Sequence, residues 1–137
     1  MGYEALDMSG DAGLRVWGGS LEEAFESAAL GMYGLITDIA KIERKKSIRV
    51  SVKGNSLDGL LVAFLNELVF RFDAYGFVGK AISIEKIENN MISAVIEGEE
   101  FEQGRHEAGL LIKAATYHNL KVEKHNDRWE FDIIFDI

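Results

Sequence analysis

Apolar residues recur at steps of three and four in two segments of the chain, and this spacing limits the fold more than any other feature of the sequence. The first segment contains the apolar stripe Leu21, Phe25, Ala28, Met32 and Leu35. It follows a capping box, in which the Ser20 hydroxyl can accept from the amide of Glu23 while the Glu23 carboxylate returns to the N-cap amide. The pattern predicts a helix that begins at Ser20, ends near Thr37-Asp38 and packs its apolar face on a sheet.

The second helical segment contains the stripe Leu57, Leu61, Phe64, Leu68 and Phe72. Ser56 can cap its start, Asp58 lies near the positive end of the helix dipole, and Gly76 should end it. The longest apolar stretch, Leu57 to Phe72, lies in this segment but is interrupted by charged and amide side chains. It is too polar and too short to span a bilayer, so we expect no membrane partner.

Most of the remaining chain alternates between apolar and polar residues, as half-buried strands do. The alternation and the turn residues predict strands at Tyr3 to Met8, Leu14 to Trp17, Lys46 to Lys53, Ala81 to Ile87, Ile92 to Ile96, Leu110 to Tyr117, Asn119 to Glu123 and Trp129 to Asp136. Asn89-Asn90 and Asn126-Asp127 are expected to form turns, and Gly98-Glu99-Glu100 an exposed one. The expected fold class is α+β, with two helices packed on a mainly antiparallel β-sheet that can form two layers.

The length of 137 residues suits one domain with one core, and no repeat or linker divides it, so residues 1–137 are expected to form a single domain. The 23 acidic and 15 basic residues give a net charge of -8, which predicts little direct binding of nucleic acid. The chain has no cysteine, which excludes disulfides and thiolate metal sites, and its N-terminus has no signal-peptide pattern. We therefore expect a cytoplasmic protein.

The chain ends at Phe135-Asp136-Ile137, which places the Asp136 carboxylate beside the α-carboxylate of Ile137. Asp11 lies in a turn flanked by glycines, and if this turn folds back against the C-terminus, three carboxylates meet there. Such an oxygen-only donor set is typical of Ca²⁺, and Mg²⁺ or Mn²⁺ are alternatives. Since Ca²⁺ takes about six to eight ligands, water or a partner must complete the shell. The alternative interpretation is that Asp11 caps its own turn and that Asp136-Ile137 is a solvated strand end.

No conventional catalytic motif is visible: the chain has no nucleophile elbow, phosphate-binding loop, dinucleotide fingerprint or zinc-protease helix. His106, His118 and His125 show no paired ligand spacing and are interpreted as structural or surface residues. The basic run from Lys41 to Lys46 is interpreted as a solvated loop. We expect the protein not to be an enzyme, although a metal-dependent phosphoesterase remains an alternative, because a carboxylate-bound metal can activate water.

Several segments of the chain, in the same order, resemble the archease family. They are Tyr3–Arg15, Ser20–Glu26, Ala28–Met32, Thr37-Asp38, Lys113–Val122 and Phe135–Ile137. The first resembles the strand that leads into the family's turn aspartate, and the last resembles the family's terminus. One departure is clear, since the family usually has His-Thr-Ala before that aspartate and this chain has Met8-Ser9-Gly10.

The resemblance implies a non-catalytic accessory protein that helps an RtcB-type RNA ligase complete its metal-dependent guanylylation and turn over during tRNA splicing. It also implies that Asp11, Asp136 and the α-carboxylate of Ile137 are metal ligands, in agreement with the carboxylate cluster described above. Members of the family are further linked to tRNA methyltransferases as chaperone-like modulators. The resemblance therefore leaves a methyltransferase as the alternative partner.

Overall fold

The helices and strands follow the predicted order, in a computed structural model that describes residues 1–137. The elements are β1 (Gly2–Leu6), β2 (Ala12–Gly18), α1 (Leu21–Ile36), β3 (Lys46–Lys53), α2 (Leu57–Tyr75), β4 (Phe77–Glu88), β5 (Met91–Glu100), β6 (Ala114–Ala115), β7 (Lys121–His125) and β8 (Arg128–Asp136), with a short 3₁₀ turn at Ile39–Lys41.

The strands form two separate antiparallel sheets. The five-stranded sheet has the order β1-β2-β8-β6, and β7 pairs with β8 on the same edge as β6. The three-stranded sheet has the order β3-β5-β4. The predicted α+β class is therefore confirmed, and the strands divide into two layers.

The two helices lie between the sheets and fill the core. Helix α1 contacts β1, β2 and β8 of the larger sheet and β4 of the smaller one, whereas α2 contacts β6 and β7 as well as β3, β4 and β5. Phe25 of α1 packs against Phe64 of α2, with ring centroids 5.9 Å apart, and edge-on against Phe131 of β8 at 5.5 Å. A cluster of 29 buried residues joins these elements. Neither helix combines the length and the apolar composition needed to cross a bilayer.

Both predicted helix starts are confirmed by their capping contacts. The Ser20 hydroxyl accepts from the Glu23 amide at 3.1 Å, and the Ser56 hydroxyl accepts from the Gly59 amide at 3.0 Å. The second half of the capping box differs from the prediction, because the Glu23 carboxylate accepts from the amide of Gly19 at 3.4 Å. Gly76 ends α2 with a φ of 70°, a left-handed conformation that suits glycine.

The predicted strand from Leu110 to Tyr117 is wrong, since only Ala114–Ala115 pairs as a strand. The preceding residues are used at the end of α1 instead. The amides of Gly109 and Leu110 donate to the carbonyls of Ile36 and Leu35, each at 2.8 Å. Carbonyls in the last turn of a helix have no partner within the helix. The amides of Gly109 and Leu110 therefore donate to these carbonyls and do not pair with a neighbouring strand.

The expectation of an exposed turn at Gly98-Glu99-Glu100 is also wrong. These residues end β5, and the Glu99 side chain is only 3% exposed. A Cβ on Gly98 would lie 1.9 Å from the carbonyl oxygen of Val78, so β4 and β5 approach too closely here for any other residue. The acidic run is therefore part of a tightly paired sheet, and Glu99 obtains its partners from the segments that fold over it.

Candidate functional site

The turn that carries Asp11 lies beside the last residues of β8, as predicted. Strand β2 pairs antiparallel with β8, and the first residue pair of this ladder is Ala12 opposite Phe135. Asp11 directly precedes Ala12, and Asp136 directly follows Phe135. The structure thus brings the two segments that carry the aspartates next to each other, although almost the whole chain separates them in sequence.

Burial of the neighbouring residue sets the direction of Asp136. Phe135 of β8 is buried in the core. Since successive side chains of a strand point to opposite faces, Asp136 lies on the outer face of β8. The backbone of Asp136 is also held from the β6 side, where its carbonyl accepts from the amide of Lys113 at 2.8 Å.

Neither aspartate carboxylate has a partner within the protein. None of the ion pairs or side-chain hydrogen bonds involves the carboxylate of Asp11 or of Asp136. The alternative interpretation, in which Asp11 caps its own turn, lacks the required hydrogen bond from a backbone amide. Asp11 is half-buried and Asp136 is exposed, so their oxygens remain available to a ligand from outside.

The side chains at this end do not form a complete metal site on their own. The structure holds no group of three or more His, Cys, Asp and Glu side chains that could bind a metal. The third carboxylate that the sequence predicts as a ligand is the α-carboxylate of Ile137, which directly follows Asp136. Three carboxylates suit hard cations such as Ca²⁺, Mg²⁺ or Mn²⁺, but they leave positions for water or for oxygens of a second molecule.

The contacts of the three histidines agree with their interpretation as structural or surface residues. His125 Nε2 lies 2.7 Å from Glu123 on exposed β7, and His118 Nε2 lies 3.4 Å from the Asn119 amide nitrogen. His106 is buried beside Glu99. The segment before Asp11 is Met8-Ser9-Gly10, which contains no histidine.

A second acidic region, which the sequence analysis missed, is built around Glu99. One carboxylate oxygen accepts from Arg105 and lies 3.5 Å from the ammonium of Lys45. The other oxygen accepts from the amide of Glu43 at 2.6 Å and lies 3.3 Å from His106 Nε2. We call these five residues the Glu99 cluster. It joins the end of β5 to the loop before β3 and to the start of the segment between β5 and β6.

His106 has a defined role in the Glu99 cluster. Its Nδ1 accepts from the amide of Glu102 at 2.8 Å, which leaves Nε2 to carry the proton and donate to Glu99. The ring packs on Phe101 at a centroid distance of 5.6 Å, and Phe101 packs edge-on against Phe72 of α2 at 6.0 Å. Both ring nitrogens of His106 are thus hydrogen-bonded and its ring face is packed, as expected for a structural histidine.

Burial and hydrogen bonding act in opposite directions on Glu99. Burial alone raises the pKa of this carboxyl, but the hydrogen bonds from Arg105 and from the Glu43 amide outweigh it and lower the pKa to about 2. A cleft of about 480 Å³ adjoins the cluster and is lined by Lys45, Lys46, Glu99, Glu100, Phe101, Glu102 and Arg105. Because the carboxylate oxygens already have donors, we assign the Glu99 cluster to holding the fold.

The comparisons with known proteins agree on one family. The model of the archease protein family (MTH1598/TM1083) matches residues 3–137. The protein archease of Pyrococcus furiosus is 36% identical over 140 aligned residues, which cover 98% of each chain. The solution structure of Methanobacterium thermoautotrophicum protein 1598 superposes with a TM-score of 0.83 at 29% identity, over 98% of both chains. The crystal structure of an archease from Thermotoga maritima, titled a possible chaperone, gives a TM-score of 0.68 at 20% identity over 98% of this chain and 96% of that one, which shows the fold.

Proposed function

This chain belongs to the archease family, and from that premise we propose that it is a non-catalytic accessory protein that activates an RtcB-type RNA ligase. In this proposal the protein promotes the metal-dependent guanylylation of the ligase and its turnover during tRNA splicing in the cytoplasm. Asp11, Asp136 and the α-carboxylate of Ile137 hold the divalent cation. Contact with the ligase and handling of the metal together make up the mechanism.

The observation that supports the proposal is the Ala12–Phe135 pair of β2 and β8, which Asp11 and Asp136 flank in sequence without a cationic side chain of their own. Like charges placed directly opposite each other in a sheet destabilise it, unless a counter-ion is shared between them. Arg15 and Asp132 show the usual solution on the same face, because the guanidinium donates to the carboxylate at 2.9 and 3.0 Å. The pair Asp11 and Asp136 lacks such a partner, so an external cation supports the arrangement.

An incomplete ligand shell suits an accessory role. A cation held by three carboxylates keeps positions that oxygens of a second molecule can fill, such as phosphate oxygens of a nucleotide in the ligase. A divalent ion in that position neutralises phosphate charge while the nucleotide reacts. The net charge of -8 further favours approach to a cationic partner and disfavours direct RNA binding.

The test compares stimulation of a purified RtcB-type ligase by three variants, with GTP, RNA substrate and limiting divalent metal. Asp11→Asn and Asp136→Asn each remove one ligand charge, whereas Asp127→Asn removes the same charge from the turn between β7 and β8, at the other end of β8. We expect multiple-turnover stimulation to be lost with the first two variants and kept with Asp127→Asn. Full stimulation by both site variants rules out the carboxylate site.

The alternative functions give different results with the same preparations. A metal-dependent phosphoesterase turns over phosphate esters without any partner, and that activity is abolished by Asp136→Asn. A modulator of a tRNA methyltransferase leaves the ligase unaffected and is recovered with the methyltransferase in a pull-down from native extract. The accessory role is favoured if the protein stimulates the ligase and, in isolation, does not turn over phosphate esters.

A further inference from the structure

The side-chain amide of Asn66 forms a two-point contact between α2 and β6. Its nitrogen donates to the carbonyl of Ala115 at 3.2 Å, and its oxygen accepts from the amide of Ala115 at 2.7 Å. Asn66 is half-buried, and Val62, Leu65 and Val69 are buried around it on the helix. A polar side chain in such surroundings needs hydrogen-bond partners, and the backbone of one residue supplies both.

This contact takes the place of a neighbouring strand for β6. One edge of β6 pairs with β8, with Ala114 opposite Asp136 and Ala115 opposite Phe135. In an antiparallel ladder, two hydrogen-bonded residues exchange both of their backbone bonds. The amide of Asn66 exchanges the same two bonds with Ala115 from the helix side. A strand of only two residues is thereby held on both edges.

The segment that Asn66 fixes in turn holds the end of β8. The amide of Lys113 donates to the carbonyl of Asp136 at 2.8 Å, and the amide of Thr116 donates to the carbonyl of Ile134 at 3.0 Å. The Thr116 hydroxyl donates to the same Ile134 carbonyl at 2.8 Å. The end of a strand opens locally unless neighbouring groups hold it. The hydrogen bonds therefore connect Asn66, through the β6 segment, to the backbone of Asp136.

We propose that Asn66 is a positioning residue for the divalent cation, because by fixing β6 it fixes the backbone that carries the Asp136 carboxylate. The inference rests on the proposed function and adds a residue that does not touch the metal. Removing a group that orients a metal ligand commonly lowers metal affinity about ten- to hundredfold. Asn66 acts through backbone hydrogen bonds of β6, so we expect its effect at the lower end of that range.

The test measures the Ca²⁺ affinity of the purified chain by calorimetry, with Asn66→Ala and Ser27→Ala as a matched pair. Ser27 is also a helix side chain that donates to a strand carbonyl, that of Trp17 at 3.1 Å. Trp17 lies near the end of β2 that is remote from Ala12. Both variants should lower the Tm, since each removes a hydrogen bond to the backbone of a strand. We expect Asn66→Ala to weaken Ca²⁺ binding about tenfold and Ser27→Ala to leave it unchanged.

Amide hydrogen exchange without metal separates local positioning from general loss of stability. In Asn66→Ala the amides of Lys113 and Thr116 should exchange faster, because the segment that carries them is no longer fixed to α2. The amides around Trp17 should exchange as in the unmodified protein. A uniform increase over the whole chain assigns Asn66 to overall stability and overturns the positioning role.

A double variant tests whether Asn66 acts through Asp136. In the background of Asp136→Asn, adding Asn66→Ala should cause no further loss of Ca²⁺ affinity, because the ligand that Asn66 positions is already removed. Independent, additive losses show that Asn66 affects Ca²⁺ by another route and overturn the inference.

The outcomes also separate this inference from the proposed function. If Asp136→Asn weakens Ca²⁺ binding and Asn66→Ala does not, the positioning role is refuted and the carboxylate site stands. Equal weakening by Ser27→Ala refutes the positioning role as well, because any loss of stability then lowers the affinity. If the unmodified protein binds no Ca²⁺ and does not stimulate the ligase, the proposed function fails and the positioning role fails with it.

Discussion

The Glu99 cluster and the aspartate pair use the same chemical group in opposite ways. Glu99 is buried, and both of its oxygens receive donors from the chain. Asp11 is half-buried and Asp136 is exposed, and the carboxylate of each has no donor in the fold. A carboxylate that the fold has already satisfied stabilises the fold, whereas carboxylates that the fold leaves unpaired are available for a ligand. The difference lies in the partners and not in the residue type.

The two regions should differ in how much folding stability is lost when one of their carboxylates is removed. The buried Glu99 carboxylate holds several donors in place, so its removal leaves the Glu43 amide and His106 Nε2 without their acceptor, while Arg105 keeps only Glu102. An exposed pair of like charges loses only its mutual repulsion when one member is neutralised. Stability should therefore report on Glu99, and ligand binding should report on the aspartates.

The largest expected effect is the loss of stability on Glu99→Ala. The substitution leaves the Glu43 amide, Arg105 and His106 without their common acceptor, and we expect the Tm to fall on the order of 10 °C. Asp136→Ala should change the Tm by no more than about 2 °C without added metal, because its carboxylate has no partner. Differential scanning calorimetry at neutral pH measures both. Equal shifts for the two variants contradict the contrast drawn between the regions.

The loss of folding stability at acid pH should also depend on Glu99. The pKa of this carboxyl is about 2 in the folded protein, below the value of 4.5 expected for an unfolded glutamate. The folded state therefore binds the proton less readily, and the resulting stabilisation is complete above about pH 4.5 and is lost as the pH falls towards 2. Urea unfolding between pH 7 and 2 should show a steeper fall for the unmodified protein than for Glu99→Gln.

The matched control for the acid-pH measurement is Glu97→Gln, which removes a carboxylate from the same strand. The Glu97 side chain is 43% exposed and forms an ion pair with Arg44. Its curve should run parallel to that of the unmodified protein. Convergence of the Glu99→Gln and unmodified curves near pH 2 is the distinctive result. Parallel curves for Glu99→Gln across the whole range contradict the lowered pKa.

Local patterns in the sequence were sufficient to predict the helices and most strands. The serine caps at Ser20 and Ser56 and the glycine at Gly76 mark helix boundaries through contacts within a few residues, and the structure places them as predicted. The proximity of the Asp11 turn to the C-terminus was only a condition of the sequence analysis, and the antiparallel pairing of β2 with β8 places Ala12 opposite Phe135. Both inferences depend on short-range chemistry or on strand order.

The segment between β5 and β6 could not be predicted in the same way. Leu110 to Tyr117 has the apolar composition of a strand, but the last turn of α1, far away in sequence, takes the amides of Gly109 and Leu110. Glu99 looked like a surface residue because the groups that bury it, including Arg105 and His106, lie in a loop without a periodic pattern. Hydrogen bonds between residues far apart in sequence determine both the conformation of this segment and the burial of Glu99. A local sequence pattern does not show such contacts.

Calcium should stabilise the protein through the aspartate pair. At a free Ca²⁺ concentration ten times the Kd, binding to the folded state alone adds about 1.4 kcal/mol and raises the Tm on the order of 5 °C. The rise should persist in Glu97→Gln and be absent in Asp11→Asn and Asp136→Asn. Thermal scans with Ca²⁺ and with EDTA provide the measurement. A rise that survives in both aspartate variants places the calcium elsewhere on the acidic surface.

The α-carboxylate of Ile137 should contribute to calcium binding but not to the stability of the metal-free protein. Adding Gly-Ser after Ile137 moves this charge away from Asp136 without changing any side chain, and we expect the Ca²⁺ affinity to fall about tenfold, equivalent to about 1.4 kcal/mol. The Tm in EDTA should not change, because no hydrogen bond or ion pair of the fold uses the α-carboxylate. Amidation of Ile137 removes the charge without adding length, so it separates loss of a ligand from obstruction by the added residues. Equal weakening by extension and amidation identifies the carboxylate as a ligand, whereas weakening by extension alone shows that the site only needs free space beyond the last residue.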